Sequence, residues 1–393
     1  MRRTLPWLAP VLALSTLPAA ALAQDGCLGP APDDPAAALA RTDHAVSGNR
    51  VARGCGPLAG ETSEIELGAR PAWILPDPSD RGRSWLVVLE DGRVELVTTE
   101  PGTAASISRT EQPPLPPGHP PLAAAVGTDR LVVGSALAAA GWFEAPLPDT
   151  RVTEIAGTAL VALTGPTKRY PHGVLGDDLE AAAIEVRDAS GLALRIEVAD
   201  DEVIEGTSAM VVELVPDEPG SELLVTVSDA EDGARLRAYD LEGRMVAESE
   251  PIGQGFRWLH QIAVASTGPA GETEIIVVRT PHIGGVVEAY RPAGERLERV
   301  ASLAGYGSHA LGSANLDMAL LADVDGDGHV DIVVPTQDRR ALGLLARTDE
   351  GFEELGRLDL GGELVTNVAA TPTAGGELVL AAGTSDGRLR IFR

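Results

Sequence analysis

Lysine is almost missing from this sequence: Lys168 stands alone, and 31 basic residues face 58 acidic ones, a formal net charge of -27. So large an acidic excess works against binding nucleic acid or an anionic membrane surface. Long apolar runs are also missing: beyond residue 23 no stretch reaches the length needed to span a bilayer, so membrane insertion is not expected. Segments of helical period are lacking too, which excludes a parallel α/β fold. Cysteine is restricted to Cys27 and Cys55, too few for a disulfide-built scaffold or a thiolate metal centre.

The first 23 residues combine Arg2-Arg3, an apolar stretch broken by Pro10 and Pro18, and the small-residue end Ala21-Leu22-Ala23. This is the pattern of a secretory signal peptide and predicts a periplasmic or secreted protein. Gln24-Asp25-Gly26 before Cys27 does not resemble a lipid-attachment sequence, so no lipid anchor is expected. In an oxidising compartment Cys27 and Cys55 most simply form one disulfide that pins an N-terminal segment, residues 24–60. The remainder, 61–393, has no linker-like composition, which predicts one large domain and, with nothing to suggest assembly, a monomer.

That domain repeats itself. An apolar run, a turn rich in Asp, Gly and Pro, and a β-branched run recur seven times, with copies beginning at Ala69, Pro121, Tyr170, Ser208, Trp258, Asn315 and Val365. The second runs start near Leu86, Leu131, Ala181, Leu223, Ile275, Ile332 and Leu378, steps of 42 to 57 residues. Such spacing accommodates four short strands, one blade of an all-β propeller, and predicts seven blades. Asp91-Gly92, Asp232-Gly233 and Asp386-Gly387 read as hairpin turns. The last copy ends after two strands, and residues near Glu64 to Leu67 are expected to supply an outer strand that closes the ring.

One turn carries distinctive chemistry. Asp323, Asp325, Asp327 and Asp331 occupy positions 1, 3, 5 and 9 of a loop with Gly328 at position 6, and the His329 carbonyl falls where such loops offer a backbone oxygen. Alternating carboxylates on a tight turn suit Ca2+, a hard cation that takes six to eight oxygens. No Glu at position 12 and no helix follows, so this is not an EF-hand. The other six turns lack the pattern, which points to a structural role for the ion. The run from Ala322 to Val334 resembles an FG-GAP or VCBS repeat, the integrin-α type of propeller blade. That resemblance implies a calcium loop between a blade's first two strands and commonly seven blades. It says little about activity, because such proteins include adhesion and ligand-binding modules.

A second set of residues falls at the expected rim of the central channel. Arg169, Tyr170 and His172 precede one copy, Arg257, Trp258 and His260 another, and Asp317 and Asn367 stand in the same register further on. Arginine, aromatic and histidine side chains there would suit an anionic or aromatic small molecule. His282 and His309 lie in glycine-rich loops and would matter together only if they met in space. No Gly-x-Ser-x-Gly elbow is present. The expected function is therefore a calcium-stabilised, non-catalytic module binding a protein or small ligand. The alternative is a propeller hydrolase or oxidoreductase working at the rim around Arg169, His172, Arg257 and His260.

Overall fold

Apart from Val51–Cys55, every described strand falls into one of seven groups arranged as a closed β-propeller, and no helix occurs among the described residues. The computed structural model describes residues 39–41, 47–58, 62–77, 80, 82–99, 105–109, 121–126, 130–135, 142–155, 157–214 and 220–393. The expected signal peptide and Cys27 lie outside them, and no described helix is long and apolar enough to cross a membrane.

Blade 1 comprises Pro71–Pro76, Ser84–Leu89, Val94–Thr98 and Ser106–Arg109. Blade 2 is described as Pro121–Val126 and Arg130–Ser135, with Leu39–Arg41 paired along the edge of the first. Blade 3 runs Thr153–Ile155, Ala159–Thr167, Glu180–Asp188 and Gly191–Glu197. Blade 4 contains Glu202–Val212, Glu222–Asp229, Gly233–Tyr239 and Met245–Ser249, and blade 5 Leu259–Ala265, Glu274–Arg279, Val286–Ala293 and Arg296–Ala304. Blade 6 is Leu320–Asp323, Asp331–Pro335, Ala341–Thr348 and Gly351–Asp359. Blade 7 takes Ala369–Pro372, Leu378–Thr384 and Arg388–Phe392 from the C-terminal end, and Thr62–Glu66 as its outer strand. Arg388 through Phe392 pair antiparallel with Glu66 back through Thr62, so the ring closes as the sequence predicts.

The core lies between blades. One cluster joins Ile65, Val379 and Ile391 of blade 7 to Ile74, Trp85 and Val87 of blade 1; others join blades 3 and 4, 4 and 5, 5 and 6, and 6 and 7. A strand sandwiched between two neighbouring blades is apolar on both faces, which is why Ser84–Leu89 and Asp331–Pro335 are buried at every position. Each fully buried Val, Leu or Ile contributes about 1.5–3 kcal/mol, so the interblade seams dominate stability. The hairpin glycines behave as expected, with Gly92, Gly233 and Gly387 at φ 81, 75 and 80.

One copy was placed a strand too far along. Glu180–Asp188 is the third strand of blade 3, not its second, because Thr153–Ile155 and Ala159–Thr167 precede it and pair in order. The loop holding Arg169, Tyr170 and His172 therefore joins second and third strands instead of leading into an inner one. Asp177 and Asp178, in the same loop, consequently sit on the opposite face from the acidic turn of blade 6.

Candidate functional site

The ring has two faces, here called upper, where inner strands begin, and lower, where they turn into second strands. The acidic loop is on the lower face and the aromatic and histidine residues are on the upper.

Asp323, Asp325 and Asp327 bring one carboxylate oxygen each within 4.8 Å of one another, the one His, Cys, Asp or Glu group of this kind among the described residues. The turn is shaped by its own side chains: the Asp323 carboxylate accepts the Gly326 and Gly328 N–H groups at 2.6 and 3.1 Å. Asp325 accepts the Asp327 N–H at 3.1 Å, and Asp327 accepts that of His329 at 2.8 Å. Asp331 stands apart from the trio and holds the Val324 N–H at 3.0 Å, so the expected convergence of four carboxylates narrows to three. The side chain of His329 is exposed. Burial and the neighbouring acids raise the Asp323 carboxyl above its ordinary range and push Asp331 up to about 7. Acids crowded in this way favour a bound cation, and the donor set fits Ca2+.

A strap from the N-terminal segment crosses the channel just above this loop. The Ser47 carbonyl accepts the Val211 N–H at 2.7 Å, and the Asn49 side chain exchanges two hydrogen bonds with the Val264 backbone at 2.9 and 2.8 Å. Val51–Cys55 then adds in parallel to the inner strand of blade 6. Arg50 is wholly buried and donates to the Ala319 carbonyl of blade 6 and, at 2.7 Å, to the Val368 carbonyl at blade 7. Gly56 and Leu58 donate to the carbonyls of Asp323 and Val324 at 2.8 and 3.0 Å. A Cβ at Gly56 would collide with the Val324 carbonyl, so only glycine allows the strap to lie against the acidic loop. The segment expected merely to be pinned by a disulfide thus threads the ring. Its Cys55 ends the strap strand, while Cys27 is outside the described residues.

The upper mouth is covered by the loop between blades 5 and 6. Asp317 of that loop pairs with Arg151 of blade 3 at 2.6 Å, and Asn315 donates to the Ala72 carbonyl of blade 1 at 3.2 Å. Asn367 exchanges two 2.8 Å hydrogen bonds with the Ile74 backbone of blade 1. Asp317 is therefore a cross-ring tie and Asn367 a tie between the neighbouring blades 7 and 1, and neither joins the expected rim cluster. Under the cap a cavity of about 10 Å3 remains beside Gly206, Trp258 and Leu316.

The other expected rim residues form two groups on the upper face. Tyr170 stacks on Phe256 at 4.6 Å between ring centroids, with His172 edge-on to both. The His172 Nδ1 lies 2.6 Å from Glu205 Oε1, and Ser228 donates to the other Glu205 oxygen. Nearby Glu180 accepts the Gly206 N–H, and burial beside Glu205 holds its carboxyl far above the ordinary range. Arg169 is exposed, and Arg257 donates to the Phe256 carbonyl at 2.7 Å. In the second group Trp258 stacks on His260 at 4.9 Å and meets His309 edge-on at 5.0 Å, and His282 meets His309 at 4.4 Å. Ser308 Oγ sits between His260 Nδ1 at 2.8 Å and His309 Nδ1 at 3.1 Å. Burial and the Arg339 charge lower His282 to about 4, and burial with the adjacent histidines keeps His309 well below its usual value.

Glu205, Phe256 and Ser308 were not anticipated; Phe256 and Ser308 lie in loops flanking the aromatic and histidine residues, and Glu205 lies in the inner strand of blade 4. Beside the second group, the turn from Thr336 to Ala341 borders a shallow concavity of about 630 Å3 that Gly305, Arg357 and Asp359 also line.

No protein-family model matches this chain, and no curated protein sequence is similar to it. Among solved structures it is similar to the WD40 beta propeller domain of Doa1, with 11% identity, 85% of this chain and 96% of that one covered, and a TM-score of 0.43. It is also similar to BBS1N, crystallised in complex with ARL6DN, with 15% identity, coverage of 88% and 97%, and a TM-score of 0.45. The chain is a β-propeller, a class defined by its own seven blades and their closure.

Proposed function

We propose that this protein is an exported propeller of the FG-GAP type, calcium-stabilised on its lower face, that binds a partner through its upper face without catalysing a reaction. One observation carries the reading: the channel is filled by the strap and capped by the 305–319 loop, while Phe256, Ile283 and Leu311 remain exposed around the histidine group. Large apolar side chains grouped on one face favour contact with another molecule. Calcium at Asp323, Asp325 and Asp327 would hold together the loop against which the strap rests. A bridge between Cys27 and Cys55 would anchor the segment preceding that strap.

The catalytic alternative is favoured by the Glu205–His172 pair, an acid that could orient an imidazole. Against it, Ser228 bonds the second oxygen of the same glutamate instead of His172, so proton relay from a serine hydroxyl to the histidine is not assembled. The test is a photo-crosslinking residue placed at Ile283, with the exposed lower-face Leu241 as control, in cells exporting the protein. Adducts at Ile283 that Leu311→Ser removes support the reading. Equal labelling at both positions, or none at Ile283, would sink it.

A further inference from the structure

Four buried nitrogens on the upper face find no hydrogen-bond partner among the described residues: Trp258 Nε1, His282 Nε2, His309 Nε2 and Arg339 Nε. Their side chains belong together, since the rings of Trp258 and His282 both pack on His309 and the Arg339 charge acts on both histidines. Leaving buried polar groups unpaired is costly, so a cluster of them calls for an occupant. The backbone that holds them is strained as well: Phe256, Thr280 and Arg339, at φ 54, 47 and 56, are three of the four described non-glycine residues in the left-handed region. Strain of this kind collects where a ligand is gripped.

The chemistry of the four atoms selects the occupant. Indole Nε1 and guanidinium Nε can only donate. Ser308 has one hydroxyl proton for two imidazole Nδ1 atoms; when it donates to His309, the His309 proton resides on Nε2, which becomes a third donor. Three imidazoles invite a transition metal, but the neighbouring guanidinium of Arg339, which pairs with Glu363 through another nitrogen and leaves its Nε free, opposes one. No three ligand atoms of this group meet the spacing that the lower-face aspartates achieve. Ile283, next to His282 in sequence, and Leu311, two residues beyond His309, are exposed at 65% and 67% and give the cluster an apolar border.

We infer that the recess among Trp258, His282, His309 and Arg339 binds the carboxylate of a ligand with an apolar body, either a small organic acid or the C-terminus of a polypeptide. This rests on the upper face being the binding face and names what that face recognises.

The test is calorimetry and histidine-ring NMR on the full mature chain in calcium, with hexanoate, a blocked peptide ending in leucine carboxylate, the same peptide amidated, and Zn2+ alone as probes. At least one carboxylate is expected to bind, the amide about tenfold more weakly, with the His282 and His309 rings shifting toward the protonated form. Trp258→Phe keeps the ring but removes the donor and is expected to weaken binding about tenfold at an unchanged melting temperature. Hexanoate binding alone would identify a small acid, and peptide binding alone a polypeptide terminus. Silence with every carboxylate, equal binding of acid and amide, indifference to Trp258→Phe, or ring shifts with Zn2+ only would each overturn the inference. Crosslinking at Ile283 that persists despite such a result would leave the binding face standing and remove only its carboxylate recess.

Discussion

The lower and upper faces of this ring share one strand frame but differ in where their polar groups find partners. Below, the acidic loop is closed on itself and on the strap: carboxylates take loop N–H groups, and the Asp323 and Val324 carbonyls take those of Gly56 and Leu58. Above, imidazole, indole and guanidinium nitrogens are buried without partners among the described residues. A face whose polar groups satisfy one another serves the fold, whereas unpaired donors beside exposed Ile283 and Leu311 suit recognition of something outside it. The difference teaches that the acidic loop and the histidine group can occupy one propeller without sharing a residue.

The sharpest way to break the comparison is through the strap. Arg50→Ala removes two charge-assisted hydrogen bonds from a fully buried position and is expected to cost about 3 kcal/mol, read as a fall in the denaturation midpoint. An unchanged midpoint would mean that the strap is not structural.

A smaller effect is expected at the acidic loop. Calcium well above its dissociation constant should stabilise the protein by about 2–3 kcal/mol, and Asp325→Ala should abolish that gain while leaving the calcium-free melting temperature nearly unchanged, because Asp325 is exposed. A calcium response that survives the substitution would remove the loop from the account.

The third effect, at the upper-face acid Glu180, depends on pH. Its folded pKa is raised by burial and Glu205, so the unfolded chain ionises first as pH climbs, and folding loses stability above the ordinary carboxylate range. Glu180→Gln keeps an acceptor for Gly206 and cannot ionise. Its stability relative to the parent should be nearly equal at about pH 4 and greater at about pH 7, the gap widening by up to about 1.4 kcal/mol per pH unit. A difference that does not grow with pH would show that Glu180 is ionised in the folded ring.

Much of this architecture is legible locally. Blade spacing, hairpin glycines and the closing strand near Glu64 follow from strand period and turn chemistry, and the acidic loop is a contiguous run whose shape comes from its own side chains. The exception, blade 3, shows the limit. Its inner strand is the short Thr153–Ile155, with little apolar signal, so the stronger run from Glu180 was read as the second strand. The upper-face group was only partly visible: Tyr170, Trp258 and His260 stood out as residue types, but their partners Phe256, Ser308 and His309 are set by how loops of different blades meet.

By itself, the sequence determined the all-β repeat, its closure and the acidic turn, because hydrogen-bonded ladders, glycine turns and alternating carboxylates act over a few neighbouring residues. Only the tertiary structure decided that residues 47–58 fill the channel, that Asp317 ties the ring across its mouth while Asn367 joins blades 7 and 1, and that His282 and His309 meet. Those contacts join residues from 27 to more than 300 positions apart, and no local pattern encodes which loops a closed ring will bring face to face.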